Sequence, residues 1–361
     1  MATMRSIQAA DTDMNERLEA TVYATLLAVS IGWVLYIGKS VFVPIVFSVL
    51  VVYVIVGLAR LLFRLSLLER LLPPQMGHAL AAMVIVLALA AIASLLANNL
   101  GKVAALAPQY SASLLNTVQS VAERFGVELA PTWATLRREL MAQINTQRLI
   151  GTTVVSVSSI ASTLIIVLLY VAFLLIEQRA LSAKLAKISS DPKKVEQMQK
   201  IVIHINTRIG AYLALKTLVS AVQGAVSWAI LAFFGVDLAL FWAVLIGLLN
   251  YVPYIGSVLG VALPVAFATM QFADASTVFA ILLSLSAAQF FIGFFLDPYL
   301  LGNSLNLSPF AILVSLAVWS AIWGIAGAFL AVPITACMAL VFAEFDGTRP
   351  IAVLLSRNGD V

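Results

Sequence analysis

Residues 238–260 read LALFWAVLIGLLNYVPYIGSVLG. No charge interrupts this run. At about 1.5 Å per residue, a helix of this length crosses the roughly 30 Å hydrocarbon core of a bilayer. Pro253 stands inside it. A proline there removes an N–H and clashes with the preceding turn, so carbonyls beside it lose their partners. In hydrocarbon those groups must be satisfied by protein, water or a ligand. Asn250 offers an amide next to the break and Tyr254 a hydroxyl. Gly256 and Gly260 follow in the spacing that lets a helix approach closely. Two readings stay open: a broken helix lining a substrate path at mid-membrane depth, or a structural kink packed on a neighbour.

The rest of the chain is of the same kind. Of its 361 residues 62% are hydrophobic and 11% charged, with a mean hydropathy of +1.04. Soluble proteins run near half apolar and a quarter charged. A chain this apolar cannot cover its surface with polar groups, which excludes a soluble enzyme and a disordered chain. What remains is an all-α polytopic integral membrane protein. The net charge of +4 is modest, and the basic residues gather beside apolar runs rather than forming a nucleic-acid patch. One cysteine, Cys337, excludes an intramolecular disulfide. His78 and His204 are too far apart in sequence for metal-ligand spacing. Gly32 and Gly38-Lys39-Ser40 resemble a phosphate loop, but five residues separate the glycines where four are needed. No cofactor, metal or nucleic acid is expected.

Working outward from 238–260, apolar runs of spanning length fall at 22–38, 41–62, 79–100, 152–176, 209–234, 238–270, 277–296 and 309–342, about eight transmembrane helices. The first two, split by Lys39-Ser40 with Pro44 just inside the second, fit a tight helical hairpin better than one kinked helix. The runs at 238–270 and 309–342 are long and contain breakers, so each is a broken span or a re-entrant hairpin.

The organisation expected is a polar tail at 1–20, three spans in 21–100, and an amphipathic helical lobe outside the membrane at 101–150. A fourth span at 151–177 follows, then a basic helical loop at 178–208, a transport core at 209–345 and a tail at 346–361. The lobe carries helical stripes, Leu114, Leu115, Val118, Val121 and Phe125 and then Trp133, Leu136, Leu140 and Ile144. In the basic loop, Asp191-Pro192 reads as an N-cap with proline at the first helical position. Fourteen Lys and Arg fall on one side of this arrangement and six on the other, which places both termini in the cytoplasm.

Polar residues inside the apolar half are the candidates for function. Lys216, Ser220, Gln223 and Ser227 recur at helical spacing and face protein or water rather than lipid. Lys216 lies about two turns from the basic loop, so snorkelling to the interface is the role expected of it. Ser286, Gln289, Gly293 and Asp297 make a second stripe. Asp297 is either a coupling or substrate-orienting carboxylate or a charge at a helix end facing water. The substrate path is therefore assigned to Asn250, Pro253, Tyr254, Gly256, Gln289, Asp297, Lys216 and Gln223. Helix breaks or close packing are assigned to Pro298, Gly302, Pro309, Trp323, Gly324, Gly327 and Pro333.

The chain resembles the autoinducer-2 exporter (AI-2E) family of bacterial membrane transporters. The resemblance rests on Asn250-Tyr251-Val252-Pro253-Tyr254-Ile255-Gly256 preceded by Phe234-Gly235-Val236 and Ala239-Leu240-Phe241-Trp242. Pro298-Tyr299-Leu300-Leu301-Gly302, Leu307-Ser308-Pro309, Trp323-Gly324-Ile325-Ala326-Gly327 and Ala331-Val332-Pro333 reinforce it in order and spacing. It implies a multi-pass inner-membrane transporter, homo-oligomeric and suspected to be a pentamer, rather than an enzyme. Members look like exporters of the furanone-type quorum-sensing signal, and others are associated with sodium or lithium exchange for protons. The expectation is a secondary transporter or facilitator exporting a small polar solute, with a coupling ion as a further partner beside the lipid bilayer. A Na+(Li+)/H+ antiporter and a non-transporting membrane scaffold are the alternatives. Against proton exchange, Glu177, Asp237, Asp274, Asp297 and Glu344 all fall near span ends.

Overall fold

The computed structural model describes residues 2–63, 79–99, 101–102, 162–177, 180, 184, 187, 190–272, 274–302 and 305–360. The 101–150 lobe, His78, Asn303 and most of 178–189 lie outside the described residues, apart from 101–102 at the lobe's edge. The described residues are almost wholly helical, as expected for an all-α membrane protein. In chain order the helices are α1 (Ala2–Ile37), α2 (Lys39–Phe63), α3 (Ala79–Asn99), α4 (Ser162–Glu177), α5 (Pro192–Phe233), α6 (Ala239–Leu249), α7 (Ile255–Gln271) and α8 (Ala275–Phe291). A five-residue π-helical stretch, Ile292–Leu296, leads into α9 (Asp297–Leu301). Then come α10 (Pro309–Trp323), α11 (Ile325–Ala343) and α12 (Arg349–Leu355).

Among the described residues five helices are long and apolar enough to cross a membrane: Lys39–Ala59, Ala79–Asn99, Pro192–Phe233, Ala275–Leu301 and Ile325–Ala343. Their outer faces carry exposed large side chains, among them Leu87, Leu218, Phe279 and Leu283. Such a surface is solvated by lipid tails.

The pair α1 and α2 departs from the hairpin expected of it. Gly38 alone separates them, its N–H still bonded to Val34 O at 2.8 Å and its carbonyl already accepting from Phe42 at 2.9 Å. The two helices share little surface. The junction is a bend, because one residue cannot reverse a helix onto its own side. Pro44 sits inside α2, and one turn on Ser48 Oγ donates to Pro44 O at 2.6 Å and lies 3.1 Å from Val167 O on α4.

Helix α5 runs unbroken for 42 residues and merges the basic segment with the fifth span. Its start is as the sequence predicts: Asp191 accepts from Lys193 N–H at 3.0 Å, and Pro192 occupies the first turn. The helix is also the organising axis. Leu231 packs with Trp242, Ile246, Phe267, Ile281 and Leu285 from α6, α7 and α8. Ile209, Tyr212 and Leu213 pack with Val332 and Ala336 of α11. Ile55, Ala59, Ala81, Val167 and Val171 form a separate core among α2, α3 and α4.

Both long C-terminal stretches fold as helical hairpins. Helix α6 has 11 residues, about half of what a bilayer core requires. Gln271 at the end of α7 accepts from Asp237 N–H at 2.8 Å and donates to Gly235 O at 2.9 Å, so the hairpin closes beside its own start. The second hairpin, α10–α11, turns at Gly324 (φ +64), and Trp319 Nε1 reaches Thr335 Oγ1 at 3.2 Å across it. Trp323 is buried and donates from Nε1 to Leu35 O of α1 at 2.9 Å, which makes it a packing anchor. Pro309 stands in the first turn of α10, whereas Pro333 lies within α11 without ending it.

Beyond α11, the chain returns to the linker before α10. Ser308 N–H donates to Leu355 O at 2.9 Å and Arg357 N–H to Asn306 O at 3.0 Å, around the bridge pairing Leu307 with Ser356.

Two predictions follow from this packing. A Cβ on Gly327 would lie 1.8 Å from the backbone oxygen of Trp319, whereas one on Gly32 would meet nothing within 4 Å. Gly327→Ala is expected to destabilise the protein by about 3 kcal/mol or more, since backbone must move, while Gly32→Ala is neutral or better. Thermal unfolding in detergent measures both. The second concerns Asp274, the N-cap of α8. Its carboxylate accepts from the N–H and hydroxyl groups of Ser276 and Thr277, which hold its pKa far below the ordinary value of 3.8. Its contribution is therefore complete above 3.8 and falls away as pH drops toward the folded value. The melting difference between the wild type and Asp274→Ala should be constant above about pH 4 and shrink below it.

Candidate functional site

The turn between α6 and α7 is built from the residues quoted at the outset. Asn250 caps α6, and Ile255 N–H donates to Pro253 O at 2.6 Å, two residues back. Tyr254, between them, has φ +61 and ψ −60. This is a γ-turn, a conformation that a residue with a side chain adopts at a cost of about 1–3 kcal/mol. Gly256 closes the turn. A Cβ there would lie 1.8 Å from Leu249 O, so the approach this glycine permits is between the two arms of one hairpin.

Three hydrogen bonds fix the turn in the protein. Asn250 Nδ2 donates to Ser220 Oγ at 3.1 Å, and Tyr251 OH donates to Thr217 Oγ1 at 2.7 Å, both on α5. Gln289 Nε2 on α8 donates to Ser257 Oγ on α7 at 3.1 Å. Ser220, Asn250 and Tyr251 are thus held at one level of the bundle.

Beside the turn lies a cavity of about 980 Å³. Asn250, Pro253, Tyr254 and Ser257 line it from the first hairpin, Ser286, Gln289 and Asp297 from α8 and the residues after it, and Tyr212 and Lys216 from α5. Much of the remaining wall is apolar, including Val252, Val258, Leu282 and Phe290, and Arg357 stands on it from the C-terminal segment.

Lys216 is not at the interface. Its side chain is 8% exposed, and its Nζ donates to Asp297 Oδ2 at 2.9 Å; the Asp297 side chain is 21% exposed. Snorkelling is overturned because the lysine has a carboxylate partner within the protein. Nor does Asp297 face open water. Its N–H bonds Ile292 O, five residues back. Pro298 follows, and its ring removes the donor that Phe294 O would use, which accounts for the widened turn at this point.

The structure brings together Asn250, Pro253, Tyr254, Gln289, Asp297 and Lys216 on one cavity, and leaves two of the other candidates outside it. Gln223 is buried within the bundle, donating to Ser227 Oγ at 3.3 Å, and Gly256 serves the turn. Gly302 (φ +50) ends α9 on the cavity wall after Pro298. Gly324 makes the second turn and Gly327 the close contact behind it, while Pro333 faces a small apolar recess against α2. Sequence reasoning missed Tyr212, Ser257 and Arg357. It also missed that the lysine and aspartate pair, although a charge within or at the end of an apolar run is expected to have a partner.

Comparison with known proteins finds relatives among bacterial transport proteins. The chain is 29% identical to the AI-2 transport protein TqsA of Escherichia coli (strain K12) over 287 residues, 79% of this chain and 81% of TqsA. It is 26% identical to YhhT of the same organism over 283 residues, 76% of this chain and 78% of that protein. A Borreliella burgdorferi protein is 32% identical over 198 residues, 55% of this chain and 54% of its own. Residues 23–346 match the sequence profile of the AI-2E family transporter, so a helical membrane chain with a polar cavity at a broken helix belongs to the AI-2E transporter family.

Proposed function

We propose that the chain is a secondary transporter or facilitator that exports a small polar solute of the autoinducer-2 type across the bacterial inner membrane, with both termini in the cytoplasm. The observation that carries this reading is the cavity whose wall is a helix break. Asn250, Pro253 and Tyr254 stand on one side of it and Gln289, Lys216 and Asp297 on the others. Its volume of about 980 Å³ is at the upper end of small-molecule sites and leaves room for a solute with its water. A mostly apolar wall with a few convergent amides, hydroxyls and one ion pair suits a compact molecule that carries hydroxyl groups. The name of TqsA, an AI-2 transport protein, supports the choice of solute.

The test is uptake of labelled autoinducer-2 into proteoliposomes of the purified protein. Saturable flux is expected, falling about tenfold or more in the double variant Asn250→Leu, Pro253→Ala. Tenfold corresponds to about 1.4 kcal/mol, within the range for removing one buried hydrogen bond. Unchanged flux in that variant places the path elsewhere. Absence of flux in folded, inserted wild type removes autoinducer-2 as the solute.

A further inference from the structure

The cavity is longer than the polar cluster at its centre. Val258, Val261 and Ala262 line it from α7, and Leu282, Gln289 and Phe290 from α8. Helical spacing puts each set on one face of its helix. The bond from Gln289 to Ser257 at 3.1 Å ties the two helices together between these faces. From that tie, Ala262 and Leu282 lie in one direction, at about 8 and 11 Å along their antiparallel helices. Asp297 lies in the other. From Leu282 to Asp297 the cavity is therefore a trough about 22 Å long.

Its two ends differ in chemistry. Lys216 and Asp297 pair at one end, and Asn306 and Arg357, whose backbones are bonded at 3.0 Å, stand beyond Gly302 on the same side. At the other end Val258, Val261, Ala262 and Leu282 present only hydrocarbon. The apolar end is open, with Val258, Leu282 and Phe290 exposed, whereas Lys216 and Asn250 are buried. Exposed apolar side chains on a helix that crosses the membrane face lipid tails. The trough thus leads from the hydrocarbon of the bilayer to a charged floor inside the protein. A small polar solute fills the charged end and has no partner at the other.

We infer that the cavity also binds a single-chain anionic amphiphile that enters sideways from the bilayer, its head at the Lys216–Asp297 end and its tail along α7 and α8 as far as Ala262 and Leu282. The inference goes beyond the transport reading and concerns a second class of ligand. An anionic head fits because the wall carries two cationic side chains, Lys216 and Arg357, and one carboxylate, Asp297. An ammonium has three donors, of which the bond to Asp297 uses one. A cationic head would meet both basic groups at close range. One tail fits because the trough has a single apolar end, and a second tail would have no wall to lie on. Hydrocarbon gains little by moving from lipid to apolar protein, so the tail sets the orientation and the head sets the choice.

The test is photolabelling of the full chain in phosphatidylcholine proteoliposomes with a dodecanoate that carries a diazirine at its tail end, at alkaline pH, the labelled residues being mapped by peptide mass spectrometry. Saturable labelling is expected at Val258, Val261, Ala262 and Leu282. Unlabelled dodecanoate should compete about tenfold or more better than dodecanol or dodecylamine, and Arg357→Gln should narrow that preference. Ala262→Phe and Leu282→Trp fill the apolar end from exposed positions, and each is checked for folding by thermal melting. Both are expected to weaken the labelling about tenfold or more, while Phe279→Ala on the outer face of α8 leaves it unchanged. Labelling that does not saturate and spreads equally to Phe279 and Leu283 is ordinary lipid contact and overturns the inference. Equal competition by dodecanol overturns it too, as does undiminished labelling in the folded groove variants. Flux of labelled autoinducer-2 in the same vesicles separates the two readings. Flux without saturable labelling overturns this inference and leaves the transport reading standing, and saturable labelling without flux does the reverse.

Discussion

Lys216 comes from within the longest helix, and Asp297 lies 81 residues further on, just past a widened helical turn. On a soluble surface such a pair contributes about 1 kcal/mol or less. Away from water the balance changes, because each charge has given up its hydration and depends on the other. Removing one partner of a buried pair typically costs about 3–5 kcal/mol. The pair therefore fixes the end of α8 and the short α9 against α5. Asn250–Ser220 and Tyr251–Thr217 fix the hairpin turn to the same helix, and Gln289–Ser257 ties the hairpin to α8. The cavity is the space these four connections hold open.

The second constraint is that chain reversals beside lipid leave backbone groups to be satisfied inside the protein. Both hairpins meet it in the same way. Just after each turn a glycine lies against a carbonyl of the opposite arm, Gly256 on Leu249 and Gly327 on Trp319. A side chain at either place would push the arms apart and open the turn to hydrocarbon. The turn at Tyr254 goes further and accepts a strained γ-turn, the tightest reversal available, next to a proline that has no N–H to satisfy. Strain of this kind persists only where surrounding contacts outweigh it. Two of those contacts are the bonds from Asn250 and Tyr251.

Much of this was legible in the residues themselves. Composition dictates the helical membrane class, and Pro253 and Gly324 lie at the two reversals, although Pro44 and Pro333 stay inside helices, so a breaker marks a reversal only together with its neighbours. Asp191-Pro192 marks the start of α5 for equally local reasons. What could not be read is what depends on distance in space. Lys216 looked like an interface lysine because sequence shows its nearness to the basic segment and hides its nearness to Asp297. Gln223 shares the helical period of Lys216 and Ser220, yet it donates to Ser227 within the bundle, because it lies about two turns beyond Lys216 and away from the cavity. The bend at Gly38 was read as a hairpin because hydropathy records where a run stops and carries no information about the direction in which the next one leaves.

The unbroken length of α5 has a mechanical meaning. Pro192 precedes Lys216 by 24 residues, about 36 Å of rigid helix. The whole helix, at about 63 Å, is roughly twice the thickness of the hydrocarbon core. Its outer end, carrying Lys193, Lys194 and Lys200, is a lever arm whose other end holds half of the cavity's ion pair. A tilt of about ten degrees about Lys216 sweeps the far tip through about 6 Å. Conversely, because Lys216 sits at the pivot, a displacement of the far tip moves the ammonium far less than it moves the tip.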